Sequence, residues 1–337
     1  VKVLEVDGEQ LSAEQIVVAA GSRPVVPPIP GLDRVEFHTS DTIMRVDQIP
    51  ASLVIVGGGF IAAEMGHVFE AFGAQVTIVQ RGPRLLMGED EAVSSRFTEL
   101  AQQRFNVLLN SEAVLVEPNG NGVALTVKVG GVSTVVEADA LLVAAGRQPN
   151  TDLLDAAAGG LALDDHGHVV TDDAYRTSVP GVWAFGDAAN HFQLKHMANA
   201  EMRVVRHNLL HPNDVESLPA RVVPHAVFSD PQIASVGVTE QEAKRSGVDH
   251  VVAVRPYSDT AYGWALEDTS SFVKLIADPH RRVLLGAHII GPQAAILLQP
   301  LLQAMMLGQT VDQLARDVIY VHPALTEVVE QALLELV

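Results

Sequence analysis

The sequence predicts an α/β fold in which two Rossmann-like units in tandem are followed by a smaller α+β domain. Three observations support this prediction. A β-branched strand leads into a glycine-rich turn and then into an apolar helix. Two apolar strands share the same ending. From about Pro224 onward the sequence pattern changes to strands separated by turns. Alternation of such strands and helices is typical of parallel sheets.

Composition limits the classes of function. The chain has 337 residues, which suffices for two or three domains, and a formal net charge of −19, which argues against nucleic acid or anionic membranes as partners. No run approaches the roughly 18 apolar residues of a membrane span. The absence of cysteine excludes a disulfide, a thiolate metal site and a cysteine nucleophile in the printed sequence, and we expect no metal site.

The first segment is predicted to contain two strands, over 1–6 and 9–20, followed by a proline-rich connector over 24–31. Val1 is not a methionine, and the first strand begins in mid-pattern. We therefore expect the chain to be a fragment.

The glycine-rich turn is the strongest local signal. The strand at 53–56 leads into Gly57-x-Gly59-x-x-Ala62 and a helix over 60–73. In a dinucleotide-binding βαβ unit the first glycine makes the tight turn, the second admits a pyrophosphate, and the third small residue lets helix and strand pack closely. The alternative is a tight strand-to-helix turn without a ligand.

The end of the next strand, predicted over 76–79, indicates which nucleotide binds. An NAD site usually carries an acidic residue here to hold the ribose 2′-hydroxyl. This chain has Gln80, followed by Arg81 and Arg84, and arginines suit a 2′-phosphate. The pattern favours NADPH; the alternative is that both arginines are ordinary surface cations.

An internal repeat predicts the second nucleotide-binding unit. Residues 16–24 and 141–149 each run from an apolar strand into Ala-Ala-Gly, with arginine and proline close behind. Gly21, Gly146 and Arg147 lie at these two endings. Coincidence between two buried strand ends is the alternative.

Two carboxylates are further candidates. Asp187 follows Gly186 at the carboxyl end of a strand over 182–185, where α/β proteins bind ligands, although a Gly-Asp pair can also be a simple turn. Glu64 lies in the apolar first helix after the glycines. A buried carboxylate is costly unless it is paired, so Glu64 either has a function or reaches solvent.

The C-terminal motif is a histidine with a nearby carboxylate. Pro323 is predicted in the first turn of a helix that runs to about Leu334, with His322 just outside it. Glu327 can turn back and orient the imidazole, which is a general acid–base arrangement. Most single histidines, however, have no catalytic role.

The residues from about 224 to 337 are predicted to form a separate α+β domain. Strands are expected over 227–238 and 272–290, and Thr239 begins a capping box. The helix over 293–307 contains Pro300 and is apolar nearly all round, so we expect it to be buried in its domain or against a partner chain.

Together and in this order, the motifs resemble those of the FAD-dependent pyridine nucleotide-disulfide oxidoreductase family, which includes glutathione reductase, dihydrolipoamide dehydrogenase and mercuric reductase. The resemblance covers essentially the whole chain. It implies a remnant of an FAD-binding domain at 1–44, an NAD(P)H-binding Rossmann domain at 45–150, a returning FAD-binding or central segment at 151–220, and a dimerisation domain at 221–337.

The resemblance also implies roles for the candidate residues, with FAD and NADPH as cofactors. Gly57, Gly59 and Ala62 would bind the NADPH pyrophosphate, and Arg81 with Arg84 the 2′-phosphate. The residues expected near FAD are Gly21, Gly146, Arg147, Gly186, Asp187, Leu194, Lys195 and His196, with Asp187 bonded to the ribityl chain.

The same resemblance makes His322 and Glu327 a proton shuttle that reaches into the partner subunit. Glu64 would pair with a lysine near the redox disulfide, and that lysine is not in this sequence. The family's N-terminal Gly-x-Gly-x-x-Gly and its Cys-x4-Cys pair are also not in this sequence. We therefore expect this chain alone not to turn over a disulfide.

Within the family, three segments are most similar to the actinobacterial members that reduce the disulfide of mycothiol with NADPH: 194–199, 261–265 and 322–325. The resemblance thus implies a cytoplasmic homodimer that acts on a small-molecule disulfide. The alternatives are a lipoamide dehydrogenase, which would prefer NADH, a flavin oxidoreductase without a redox disulfide, and an inactive remnant that only dimerises.

Overall fold

The computed structural model describes residues 2–218 and 222–337, and over these ranges the fold is mixed α/β, as predicted. The strands are β1 (Lys2–Val6), β2 (Glu9–Ala13), β3 (Ile16–Val18), β4 (Ser22–Pro24), β5 (Ser52–Val56), β6 (Gln75–Val79), β7 (Asn106–Leu108), β8 (Ser111–Asn119), β9 (Gly122–Val129), β10 (Val132–Ala138), β11 (Ala140–Val143), β12 (Arg147–Pro149), β13 (Val182–Ala184), β14 (His225–Val227), β15 (Ile233–Gly237), β16 (Val251–Pro256), β17 (Phe272–Ala277) and β18 (Leu284–Ile290). The α-helices are α1 (Phe60–Ala71), α2 (Glu91–Arg104), α3 (Lys195–Leu210), α4 (Glu240–Arg245), α5 (Ala261–Ala265), α6 (Ala294–Leu307), α7 (Val311–Arg316) and α8 (Thr326–Leu334).

The described residues form two compact units, one drawn from 2–25 and 146–218 and the other from 26–145 and 222–337. In the first unit β1 pairs with β2, β3 runs parallel to β13, and β4 runs antiparallel to β12. The single strand predicted over 9–20 is wrong, because the chain leaves the extended pairing after Ala13 and resumes it at Ile16 with a different partner. The division into four domain segments stays a prediction.

The second unit contains a four-stranded parallel sheet in the order β11-β5-β6-β7, with α1 between β5 and β6. Leu53 and Ile55 are buried in the cluster that includes the residues of α1 and α2. Val54, which alternates with them, is buried against the antiparallel strands β8 to β10. Because both faces of β5 are covered, the strand is a continuous apolar run.

The same unit contains a five-stranded antiparallel sheet in the order β14-β15-β18-β17-β16. Helices α6, α7 and α8 contribute to the core cluster on one face of this sheet. The predicted capping box at Thr239 is confirmed. Helix α6 contains Pro300 and buries one face through Leu297 and Leu301, while Ile296 and Leu307 are exposed.

A buried ion pair joins the start of α2 to the antiparallel sheet. Asp90 is the N-cap of α2, and its Oδ1 accepts hydrogen bonds from the Ala92 N–H at 3.0 Å and the Lys274 Nζ at 2.7 Å. The Lys274 Nζ also lies 2.6 Å from Glu240 Oε2, and the Glu240 N–H donates to Asp90 Oδ2 at 3.0 Å. The Asp90 and Lys274 side chains are only 0% and 4% exposed.

The pKa values of the two carboxylates reflect these contacts. Burial opposes ionisation of Asp90, but its hydrogen bonds from Lys274 and the Glu240 N–H hold its pKa below the ordinary value. Contacts with Lys244 and Lys274 lower the pKa of Glu240 to about 2. Both carboxylates are therefore ionised at neutral pH.

Lys274→Met is expected to lower the free energy of unfolding by about 3–5 kcal/mol, because the Asp90 carboxylate would stay buried without its cation. Lys244→Met is the matched control, since Lys244 contacts the same Glu240 from an exposed position and should cost less than about 1 kcal/mol. Urea unfolding followed by circular dichroism measures both losses. Equal losses in the two variants would contradict the importance of the buried pair.

Candidate functional site

The glycine turn has the geometry of an anion site. Gly57 has a φ of +124°, and a Cβ at this position would lie 2.2 Å from the Ala144 carbonyl oxygen, so only glycine fits. Gly59 is the N-cap of α1, no side chain caps the helix, and nothing lies within 4 Å of the position that its Cβ would take. Ala62 is fully buried in the core between α1 and the parallel sheet. An uncapped helix start beside open space fits a dinucleotide pyrophosphate.

The side chain of Gln80 lies against this turn. A Cβ on Gly58 would come within 2.7 Å of the Gln80 Cδ, and the Gln80 Nε2 donates to the Arg84 carbonyl at 3.1 Å. The Leu86 N–H donates to the Gly58 carbonyl at 2.7 Å, so the loop after β6 is fixed to the glycine turn. This places Gln80 where the ribose of a bound dinucleotide would be contacted.

The two arginines after Gln80 differ in their surroundings. Arg81 is exposed. Arg84 is half-buried, and its Nη1 lies 3.0 Å from Glu91 Oε1. Arg84 thus already has an anionic partner. Among the described residues, the structure contains no ion pair between Arg81 and a carboxylate. That both hold a 2′-phosphate stays a prediction.

In the first unit, the short strands that follow Gly21 and Gly146 pair with each other. β4 runs antiparallel to β12, so that Ser22 lies opposite Pro149 and Pro24 lies opposite Arg147. The Arg147 Nε donates to the Ser22 Oγ at 2.9 Å, and this hydroxyl donates to Asp187 Oδ2 at 2.7 Å. The fold therefore brings Arg147 and Asp187, two predicted site residues, to the same hydroxyl group. Ser22 is a bridging residue that no sequence pattern indicated.

Asp187 lies in a short 3₁₀ turn, Gly186–Ala188, directly after β13. The Gly186 N–H donates to Glu201 Oε2 at 2.7 Å. A half-buried carboxylate at a strand end is an acceptor that fits the hydroxyl groups of an FAD ribityl chain. Leu194, Lys195 and His196 form the start of α3, where the Lys195 Nζ contacts Asn199 Oδ1 at 2.7 Å. Their contact with FAD stays a prediction.

Glu64, one turn into α1, binds backbone. Its Oε1 accepts a hydrogen bond from the Phe228 N–H at 2.9 Å, within the second unit. The side chain is neither fully buried nor fully exposed. A backbone N–H thus contacts one oxygen of this carboxylate, and the catalytic role of Glu64 stays a prediction.

His322 and Glu327 form a hydrogen-bonded pair. The His322 Nδ1 lies 2.8 Å from Glu327 Oε1, and the Ala324 N–H donates to Glu327 Oε2 at 3.2 Å. The histidine side chain is 67% exposed, and that of Glu327 is 18% exposed. The hydrogen bond with His322 is the main cause that lowers the pKa of Glu327.

The prediction that Pro323 lies in the first helical turn is wrong. Helix α8 begins at Thr326, and Pro323 follows a cis peptide bond in the turn before it. Because the Glu327 side chain binds the Ala324 N–H, the chain bends back here and becomes helical only three residues after the proline. His322 therefore stands on a turn, with its imidazole held from the helix.

Two negative findings concern the residues that the structure describes. Among them, no three histidine, cysteine, aspartate or glutamate side chains are grouped as a metal site. No helix within the described ranges is long and apolar enough to cross a membrane.

Comparison with known proteins covers nearly the whole chain. Residues 1–202 match the family model described as "Pyridine nucleotide-disulphide oxidoreductase", and residues 223–333 match the model for the dimerisation domain of that family. The chain is 50% identical over 333 residues to mycothione reductase of Mycobacterium tuberculosis, which covers 98% of this chain and 72% of that protein.

Two further matches have lower identity. The chain is 33% identical to dihydrolipoyl dehydrogenase of Geobacillus stearothermophilus, over 98% of this chain and 70% of that protein. Among solved structures, the HOCl-induced flavoprotein disulfide reductase RclA of Escherichia coli matches with a TM-score of 0.88 and 28% identity, over 98% of this chain and 76% of that one. The predicted fold class is confirmed.

Gly59→Ala is expected to leave the melting temperature within about 2 °C of the unsubstituted protein, since its Cβ meets no atom, yet to weaken NADPH binding by about tenfold or more, because the methyl group occupies the space for the pyrophosphate. Gly57→Ala is the contrasting variant and should unfold at a clearly lower temperature, because its Cβ meets the Ala144 carbonyl. Thermal unfolding and NADPH fluorescence titration measure the two effects. Unchanged NADPH affinity in Gly59→Ala would refute the site.

Proposed function

Because this chain belongs to the pyridine nucleotide-disulphide oxidoreductase family, we propose that it carries the reductant-binding and proton-transfer parts of an enzyme that reduces the disulfide of mycothiol with NADPH. Members of this family contain FAD and depend on NAD(P)H, and the chain is an oxidoreductase of the flavoprotein disulfide reductase type. The observation that supports mycothiol disulfide as the substrate is the 50% identity to mycothione reductase over 98% of the chain.

The surroundings of Gln80 support NADPH as the reductant. A carboxylate at this position would repel a 2′-phosphate, whereas the amide of Gln80 carries no charge. Arg81 is an exposed cation next to it. The glycine turn at Gly57 and Gly59 offers the uncapped start of α1 to the pyrophosphate. These groups together would hold both phosphate-bearing parts of NADPH.

The proposed reaction consumes one NADPH, one proton and one disulfide, and it yields NADP⁺ and two thiols. A bound FAD would supply two-electron transfer from NADPH to a redox disulfide, whose two cysteines are not in this sequence, and that dithiol would in turn reduce the substrate. In the proposal Asp187 holds the ribityl hydroxyls. His322 holds the proton that a departing thiolate needs, and because Glu327 occupies its Nδ1, the Nε2 is left to exchange that proton. Glu64 would act near the redox disulfide.

The dimerisation domain supports a homodimer, and we infer that this protein acts as one in the cytoplasm. In such a dimer the exposed imidazole of His322 would serve the site of the partner subunit. The exposed apolar side chains of Ile296 and Leu307 on α6 are available to such an interface.

A second candidate substrate is lipoamide, which the 33% identity to dihydrolipoyl dehydrogenase over 98% of the chain brings forward. That activity would favour NADH, so the nucleotide preference separates the two candidates.

Arg81→Ala is expected to raise the KM for NADPH by about tenfold to a hundredfold, because a charge-assisted contact with the 2′-phosphate is lost, and to leave the KM for NADH within about twofold. Arg84→Ala is the matched control and should change the NADPH value less, since its guanidinium binds Glu91. Steady-state kinetics with both nucleotides measure this. A similar rise for NADH and NADPH in Arg81→Ala would refute recognition of the 2′-phosphate.

The substrate is tested with the full-length gene product and NADPH. We expect NADPH oxidation with mycothiol disulfide and much slower oxidation with glutathione disulfide or lipoamide. Absence of NADPH oxidation with mycothiol disulfide, together with turnover of lipoamide, would overturn the proposed substrate while keeping the family.

A further inference from the structure

Glu201 is a buried carboxyl group in the first unit that the proposed reaction does not use. It lies in the second turn of α3 and is only 1% exposed. Hydrogen-bond donors surround it. The Gly186 N–H donates to Oε2 at 2.7 Å, and the Asn190 Nδ2 lies 2.8 Å from Oε1 and 3.0 Å from Oε2. The Tyr175 side chain also hydrogen-bonds to it.

These contacts hold the loop that connects Gly186 to the start of α3, at Gly186 and at Asn190. Gly186 directly precedes Asp187, and its φ of +70° is a conformation that favours glycine. Asn190 in turn fixes the backbone that follows it, because its Oδ1 accepts hydrogen bonds from the Phe192 N–H at 2.9 Å and the Gln193 N–H at 3.4 Å. The loop therefore enters α3 at Leu194 with a defined backbone. One carboxyl group thus fixes the approach to both Asp187 and the start of α3.

The electrostatics show that this arrangement is costly for the fold. Burial raises the pKa of Glu201, and the nearby charge of Asp187 raises it further, while the hydrogen bonds from Gly186, Asn190 and Tyr175 act in the opposite direction. A buried carboxyl group beside another carboxylate does not add stability by itself. Its contacts all serve to fix the positions of its neighbours.

We propose that Glu201 is a positioning residue for the flavin site, which through Gly186 and Asn190 sets the positions of the Asp187 carboxylate and of residues 194–196. This inference rests on the proposed function, in which these groups contact FAD. Ser22 restrains Asp187 from the other side, since its hydroxyl donates to Asp187 Oδ2. Asp187 is thus held both through its side chain and through the backbone before it.

Glu201→Gln tests the role with little change of volume. A glutamine oxygen can still accept from the Gly186 N–H, but the glutamine amide then faces the Asn190 amide, donor against donor. A rotation that exchanges the Asn190 amide oxygen and nitrogen does not remove this contact between two donors, because the Asn190 Nδ2 would then face the Phe192 N–H. We expect the Kd for FAD to rise by about tenfold or more, because a buried donor is left unsatisfied.

Asn190→Asp combined with Glu201→Gln should restore the match. The new aspartate can accept from both the glutamine amide and the Phe192 N–H, so donors again meet acceptors. We expect the double variant to bind FAD within about threefold of the unsubstituted protein, whereas Asn190→Asp alone places two carboxyl groups together and should also weaken binding. Glu9→Gln, an exposed change in β2 of the same unit, is the neutral control.

The measurements are FAD fluorescence titration, the visible circular dichroism of bound flavin, and the unfolding midpoint of each protein. Weaker FAD binding with an altered flavin spectrum in Glu201→Gln, and recovery of both in the double variant, support the proposal. A lower unfolding midpoint with unchanged FAD affinity and spectrum would overturn it, because the role would then be structural only.

If Glu201→Gln does not fold, the double variant decides: normal FAD affinity supports the proposal, and weak affinity overturns it. All variants are made in the full-length gene product, and if its unsubstituted form binds no FAD, the proposed function itself falls. FAD binding that is equally tight in all variants overturns the positioning role alone. Hydrogen exchange at the Gly186 and Phe192 amides without FAD reports whether the Glu201 contacts hold the loop.

Discussion

The buried carboxylate of Asp90 is the constraint on which the second unit depends. It caps α2, binds Lys274 of the antiparallel sheet and accepts from the Glu240 N–H, so three separate chain segments meet at one group. The loop that carries Gln80 and Arg81 ends at this carboxylate. In the proposed nucleotide site, the position of this loop would therefore depend on an ion pair that lies outside the glycine turn, because the loop is fixed at both ends.

The first unit uses a comparable arrangement with other groups. Asp187 receives the Ser22 hydroxyl, and the peptide before it is bound by Glu201. In both units a carboxylate is held by residues that are distant from it in sequence. Gly59 and Gly21 lie beside open space, since no atom is within 4 Å of the position that a Cβ would take, and polar side chains from other segments fix the neighbouring backbone. The chemistry of each site is thus local, but its geometry is not.

Sequence alone predicted what neighbouring residues determine. The order of strand, glycine turn and helix at Gly57 and the capping box at Thr239 follow from backbone conformation and short-range hydrogen bonds, and the structure contains both. Contacts between residues distant in sequence could not be predicted, because no pattern marks Glu201 as buried or Asp90 as the partner of Lys274. The helix start near Pro323 was misplaced because a side-chain contact from Glu327 overrides the preference of proline for a first turn. The roles of individual site residues remain predictions.

The close approach of Gly58 to Gln80 links the residue types that these two positions can hold. A side chain at 58 would collide with the residue at 80, so position 80 is free to vary only while position 58 remains a glycine. In the proposed site, a change of nucleotide preference through Gln80 would therefore depend on the room that Gly58 leaves for the side chain at position 80.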